Sequence, residues 1–164
     1  MLHENESDRI NQGEVAGEVK AFLDSLPITG TGLDGQSHWV FQETLQELVE
    51  PHDFVLMHQG KYVGVLEVKC REGRYTKDYL VENGALMETS LLNKMRTDHH
   101  KYGRHVLFAM RSSDGVTFIT NLKTLMQNRD QLQNAPDGAV KDNHGKKDTD
   151  RGAVITPISL WKEI

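Results

Sequence analysis

Apolar residues recur along this chain in two rhythms. Between residues 12 and 26, Val15, Val19, Phe22 and Leu26 fall on one stripe at helical spacing, and Pro27 stops the run. The segment ITGTGLDGQS that follows is rich in turn residues. Residues 38–50, HWVFQETLQELVE, read two ways. Trp39 and Phe41 alternate as in a strand, while Phe41, Leu45, Leu48 and Val49 keep helical spacing.

After Pro51 the strand signal becomes strong. DFVLMH and KYVGVLEVKCR flank a short Gln59-Gly60 turn and predict a hairpin. Both arms are apolar at nearly every position, which predicts central strands covered on both faces. Residues 85–102 predict a second helix, with Met87, Leu91 and Met95 on its stripe and Gly103 as its C-cap. RHVLFAMR predicts a strand, Ser113-Asp114-Gly115 a turn and VTFIT another strand. NLKTLMQN predicts a short helix capped by Asn121. Residues 129–152 hold few apolar side chains and predict a mobile loop, and residues 1–10 a frayed start. AVITPISLWKEI then predicts a strand and a terminal helical turn. No internal repeat is present. The order of elements implies one α/β domain over 1–164, a mixed central sheet with flanking helices.

Composition narrows the function classes. One cysteine, Cys70, excludes an intrachain disulfide and suits a reducing, cytoplasmic setting. No apolar run approaches the roughly 20 residues that cross a bilayer. The N-terminal MLHENESDRINQGE lacks the apolar stretch of a secretory signal. A net charge of −5 argues against a uniformly basic coat for nucleic acid. The charge is uneven, however. Residues 69–111 carry nine basic and five acidic side chains, so this stretch is +4 and the rest of the chain −9. A locally basic face is compatible with the acidic whole.

The second hairpin arm concentrates the chemistry. Alternation puts Val63, Val65, Glu67, Lys69 and Arg71 on one face, and Tyr62, Leu66, Val68 and Cys70 on the other. An apolar strand that presents a carboxylate and then an ammonium needs partners or a metal for them. Asp53 opens the partner arm, where a short hairpin can bring it near Glu67. Two carboxylates can hold a hard divalent cation through oxygen, with the Val68 carbonyl as a further ligand. Such a cation lowers the pKa of a bound water, and Lys69 can orient that water or offset transition-state charge.

Pro51-His52-Asp53, thirteen intervening residues and Glu67-Val68-Lys69 resemble the PD-(D/E)xK nuclease superfamily. The resemblance covers roughly residues 12–111 and departs from the pattern at His52, which separates the proline from the acid. It implies an αβββαβ restriction-endonuclease-like core, with the first acid at a strand start and E-x-K on the next strand. The implied activity is Mg²⁺-dependent hydrolysis of DNA phosphodiesters, with Mn²⁺ as substitute, Asp53 and Glu67 binding metal and Lys69 assisting the attacking water. The small single-domain build resembles the junction-resolving and phage-type members, for which a homodimer would serve two-fold DNA. The family often adds an acid from the first helix. Glu18 lies at the edge of the buried stripe and is preferred over Glu14, while Glu43 competes if its segment is a strand. Lys94, bordering its helix stripe, is a DNA-contact candidate, and Arg71, Arg74 and Lys77 are placed to track a phosphate backbone. The alternatives are a catalytically idle module of the same fold that binds nucleic acid or protein, and an accessory protein whose ion pair only stabilises the sheet.

Other motifs carry less. His99, His100 and His105 fit no familiar zinc spacing. Cys70 falls on the face opposite Glu67, as a core residue would, and Ser90 has no evident base nearby. The glycines at 30, 32 and 35 lack the Gly-Lys-Ser/Thr ending of a phosphate loop. Tyr75 and Tyr79 read as ring packing beneath a loop or as platforms for bases.

Overall fold

A computed structural model describes residues 6–25, 39–43, 54–58, 61–102, 105–136 and 152–164. Helix α1 (Glu6–Ser25) leads into β1 (Trp39–Glu43), β2 (Phe54–His58) and β3 (Lys61–Cys70). Then come α2 (Lys77–Asn83), β4 (Ala85–Glu88), α3 (Thr89–Tyr102), β5 (His105–Arg111), β6 (Thr117–Asn121) and α4 (Leu122–Gln127). The chain closes with β7 (Gln133–Asn134), β8 (Ala153–Thr156) and β9 (Lys162–Glu163). The expected α/β class with a mixed sheet and flanking helices is observed.

The main sheet has six strands in the order β1-β2-β3-β5-β6-β9. β1, β2 and β3 form an antiparallel meander, β5 runs parallel to β3, and β6 returns antiparallel to β5. A parallel neighbour needs a long crossover, and α2, β4 and α3 fill it. A small second sheet, β4-β8-β7, lies within that half of the molecule.

Apolar side chains cover both faces of the sheet. On one, Val15, Ala16, Val19 and Leu23 of α1 pack on Phe54, Leu56, Leu66, Val68, Ala109 and Ile119. Burying each Val or Leu of this kind contributes about 1.5–3 kcal/mol. On the other, Val65, Val106, Phe108, Met110 and Phe118 pack with Leu80, Leu92, Met95, Leu122, Leu125 and Trp161. The near-continuous apolar runs of β3 and β5 thus reflect strands sandwiched between two layers.

The structure departs from expectation at several places, one of them α2, a helix that the sequence pattern does not suggest. Helix α1 starts at Glu6, so residues 6–10 are helical rather than frayed. The expected helix over 85–102 is divided. Ala85–Glu88 is a strand whose burial alternates, paired with Ala153–Thr156, and the helix begins at Thr89. Gly84, at φ 80, ends α2 there, and its backbone lies so close to Ile155 and Thr156 that a Cβ would sit 2.7 Å from the Ile155 side chain. Met87 is therefore core on a strand, and the helical stripe is Leu92 and Met95, with Leu91 partly buried. In β3, a bulge pairs Leu56 with Gly64 and Met57 with Tyr62, leaving Val63 as the extra residue. Val63 consequently packs toward α1 and Tyr62 toward the other layer, the reverse of strict alternation. Finally, residues 129–136 hold a 3-10 turn and β7, and the terminal segment ends in a 3-10 turn and β9 rather than an α-helical turn. The remainder of the expected loop, 137–151, lies outside the described residues, as do Gln59-Gly60 and Gly103.

The Asn121 cap is as expected: its Oδ1 accepts from the Thr124 amide at 2.7 Å. The 116–120 strand and the 105–111 strand are present as β6 and β5.

Candidate functional site

Strand β3 carries the chemistry toward its C-terminal end. Its parallel register sets Glu67 beside Phe108, Val68 beside Ala109, Lys69 beside Met110 and Cys70 beside Arg111. Phe108 and Met110 belong to the core on the α2–α4 side, and Ala109 to the core under α1. Glu67 and Lys69 therefore share the α2–α4 face, and Cys70 the α1 face. Glu67 is only 4% exposed, a carboxylate on a strand whose neighbours Val65, Leu66 and Val68 are all buried apolar residues. Lys69, one step further along the same face, is exposed. The step between them is about 6.6 Å along the strand.

Asp53 lies outside the described residues; the described part of β2 begins one residue later, with Phe54 paired to Leu66, the neighbour of Glu67. Among the described residues, no group of three or more His, Cys, Asp or Glu side chains could hold a metal ion. Val68 has its side chain buried and its backbone in the β3–β5 pairing.

The first-helix acids go elsewhere. Arg111 Nη1 donates to Glu14 Oε2 at 2.9 Å, and its Nη2 donates to Glu18 Oε1. One turn of helix separates these two acids, so a single guanidinium fork meets both. The hydrogen bond to Glu14 is the largest influence raising the Arg111 pKa, opposed by desolvation and reinforced by Glu18. Arg111 lies on the α1 face, so the structure does not bring Glu18 together with Glu67. In the sequence, Arg111 stands out only as part of the basic stretch; the signal for its pairing is two acids four apart on a helix facing a strand-end arginine. Glu43 ends β1, opposite Phe54.

The basic candidates separate into different environments. Arg71 Nη2 donates to the Leu86 carbonyl at 2.7 Å, and desolvation pulls its guanidinium below its ordinary pKa, partly offset by Tyr75 and Glu88. Lys77 Nζ meets Glu163 at 2.6 Å, and the hydrogen bond to that carboxylate raises its pKa. Arg74 is exposed, its guanidinium carbon 5.4 Å from the Tyr75 ring centre and 5.7 Å from that of Tyr79. The two rings meet edge to face at 5.4 Å, and both border the core on the α2–α4 side. Tyr75 and Tyr79 thus pack beneath the loop, and they also carry a cation. Lys94 is exposed on α3, away from the buried Leu92 and Met95.

No helix among the described residues is long and apolar enough to cross a membrane. Compared with known proteins, the chain matches no family model, no curated protein and no solved structure.

Proposed function

We propose that the chain is a metal-dependent DNA endonuclease in which Asp53 and Glu67 bind Mg²⁺ and Lys69 orients the attacking water. The observation that carries this reading is the nearly fully buried carboxylate of Glu67 on a central apolar strand, with Lys69 next on the same face. Carboxylate oxygens suit a hard divalent cation. In the sequence Asp53 immediately precedes Phe54, which pairs with Leu66, the neighbour of Glu67. Helix, three antiparallel strands, crossover with helix, and a strand parallel to the third also accord with an αβββαβ core of the restriction-endonuclease type.

A bound divalent ion would supply Lewis acidity at the scissile phosphate and a water of lowered pKa. The chain's own contribution is to hold the Glu67 carboxyl group in a sheltered position and to keep the Lys69 ammonium at the solvent edge, where a phosphate arrives. Glu18 is committed to Arg111 on the α1 face, so this reading draws the metal shell from Asp53, Glu67 and the Val68 carbonyl.

The test is nicking of supercoiled plasmid and branched DNA with Mg²⁺, Mn²⁺ and chelator. Glu67→Gln, Lys69→Ala and Asp53→Ala should each abolish Mg²⁺-dependent nicking while circular dichroism shows the fold retained. DNA binding without cleavage by the wild-type chain would refute the enzyme and leave an idle binding module.

A further inference from the structure

We infer that Arg74, held on the rings of Tyr75 and Tyr79, is a preset contact for one phosphate of a DNA backbone beside the Glu67–Lys69 face. The inference rests on DNA as substrate and adds how the strand is held. Three basic residues follow the site strand; two are tied to a carbonyl or a carboxylate of the protein, and the third, Arg74, is held by Tyr75 and Tyr79. Arg71 is tied to the Leu86 carbonyl and Lys77 to Glu163. The guanidinium of Arg74 is exposed, its carbon 5.4 Å from the centre of the Tyr75 ring and 5.7 Å from that of Tyr79.

The segment that carries it is anchored. The Arg71 amide donates to the Arg111 carbonyl at 2.9 Å, and the Ser113 amide to the Tyr75 carbonyl at 2.8 Å. The Lys77 amide donates to Asp114 Oδ1 at 2.9 Å, just past the Thr76 cap of α2. Gly73, at φ 65, makes the turn between them. Both ends of the loop are thereby fastened to β5 and the β5–β6 turn.

Arginine normally loses much rotamer freedom on binding, and cation–π contact with two rings limits that freedom in advance. A guanidinium carries five N–H donors, and an exposed one can turn an edge to a phosphate in bidentate fashion. The Tyr75 ring already carries Arg71 at 5.7 Å as well as Arg74. With cations on these rings, base stacking is a poor use for them, and the contact carries no sequence information.

The experiment is fluorescence anisotropy with a labelled duplex of arbitrary sequence, in EDTA to prevent cleavage, across 50–200 mM KCl. One lost phosphate contact lowers the slope of log affinity against log salt by about 0.9, so the penalty of Arg74→Ala should shrink about 3.5-fold over that range. Arg74→Lys should keep the slope and bind more weakly. Tyr79→Leu should weaken binding several-fold with the slope unchanged, and Lys77→Ala should leave the slope at the wild-type value. Wild-type slope and affinity in Arg74→Ala would overturn the inference, as would a penalty that depends on base sequence, or wild-type protein that binds no DNA. The nuclease reading fails separately. If Arg74→Ala behaves as expected but wild-type protein never nicks, the strand contact stands and the enzyme does not.

Discussion

Gly64 is the most exacting test of the strand pairing on which the site depends. It opens the parallel pairing of β3 with β5, opposite His105, three residues before Glu67. A Cβ built at this position would lie 2.3 Å from the His105 carbonyl oxygen and 3.0 Å from its carbonyl carbon. Those atoms are backbone, so no rotamer change relieves the overlap. An ordinary contact needs roughly 1 Å more, and the spacing of paired strands is held near 4.8 Å by their hydrogen bonds. Gly64→Ala must therefore push β5 away from β3 locally. Overpacking of this kind costs about 1–3 kcal/mol, and weakening one ladder hydrogen bond adds about 1 kcal/mol. A total of about 3 kcal/mol corresponds to a Tm lowered by roughly 6–12 °C for a chain of this size. Urea denaturation and thermal melting both read it, and under the proposed function nicking should fall with the displaced register. A variant within about 0.5 kcal/mol of wild type, the scatter of neutral surface changes, would refute the close approach and the β3–β5 register with it.

Three further outcomes follow from named contacts. Trp161 Nε1 donates to Thr156 Oγ1 at 2.9 Å, and that hydroxyl donates to the Ala85 carbonyl at 2.9 Å, all buried. Thr156→Val should cost about 2 kcal/mol and lower Tm by roughly 4–8 °C, and an unchanged melt would contradict the relay. Glu18 has a side chain 42% exposed, so solvent screens its pair with Arg111, and Glu18→Gln should cost about 0.5 kcal/mol while nicking persists. Loss of nicking at unchanged Tm would instead return Glu18 to the metal shell. The Asp114 carboxyl is held below its ordinary value of 3.8, first by the Ser112 hydroxyl and then by the Lys77 amide. A carboxyl depressed in the fold adds stability above its unfolded pKa and loses it as pH falls through the lower folded value. The Tm gap between wild type and Asp114→Asn should therefore be widest above about pH 5 and narrow steadily in stronger acid. A gap independent of pH would exclude that contribution.

Much of the architecture was legible from local pattern. The apolar arms of β2 and β3, the stripe of Val15 and Val19, the Asn121 cap and the E-x-K spacing on an apolar strand are properties of neighbouring residues, and periodicity reports them directly. Glu67 stood out because a carboxylate interrupts an apolar run, and the structure buries it within β3.

Tertiary structure decided the rest, because it depends on which surface a segment meets. ALME has too few residues for periodicity to separate a strand from a helical turn, and pairing with β8 selects the strand. The bulge that turns Val63 toward α1 exists because β2 and β3 differ in length between their pairings, which no single strand reveals. The choice of Arg111 as partner for Glu14 and Glu18 follows from α1 lying across the end of β5, an arrangement separated by more than ninety residues of chain. Local sequence sets what each element can offer; the packing of distant elements sets which offers meet, since contact free energy is gained only between surfaces that the whole fold brings together.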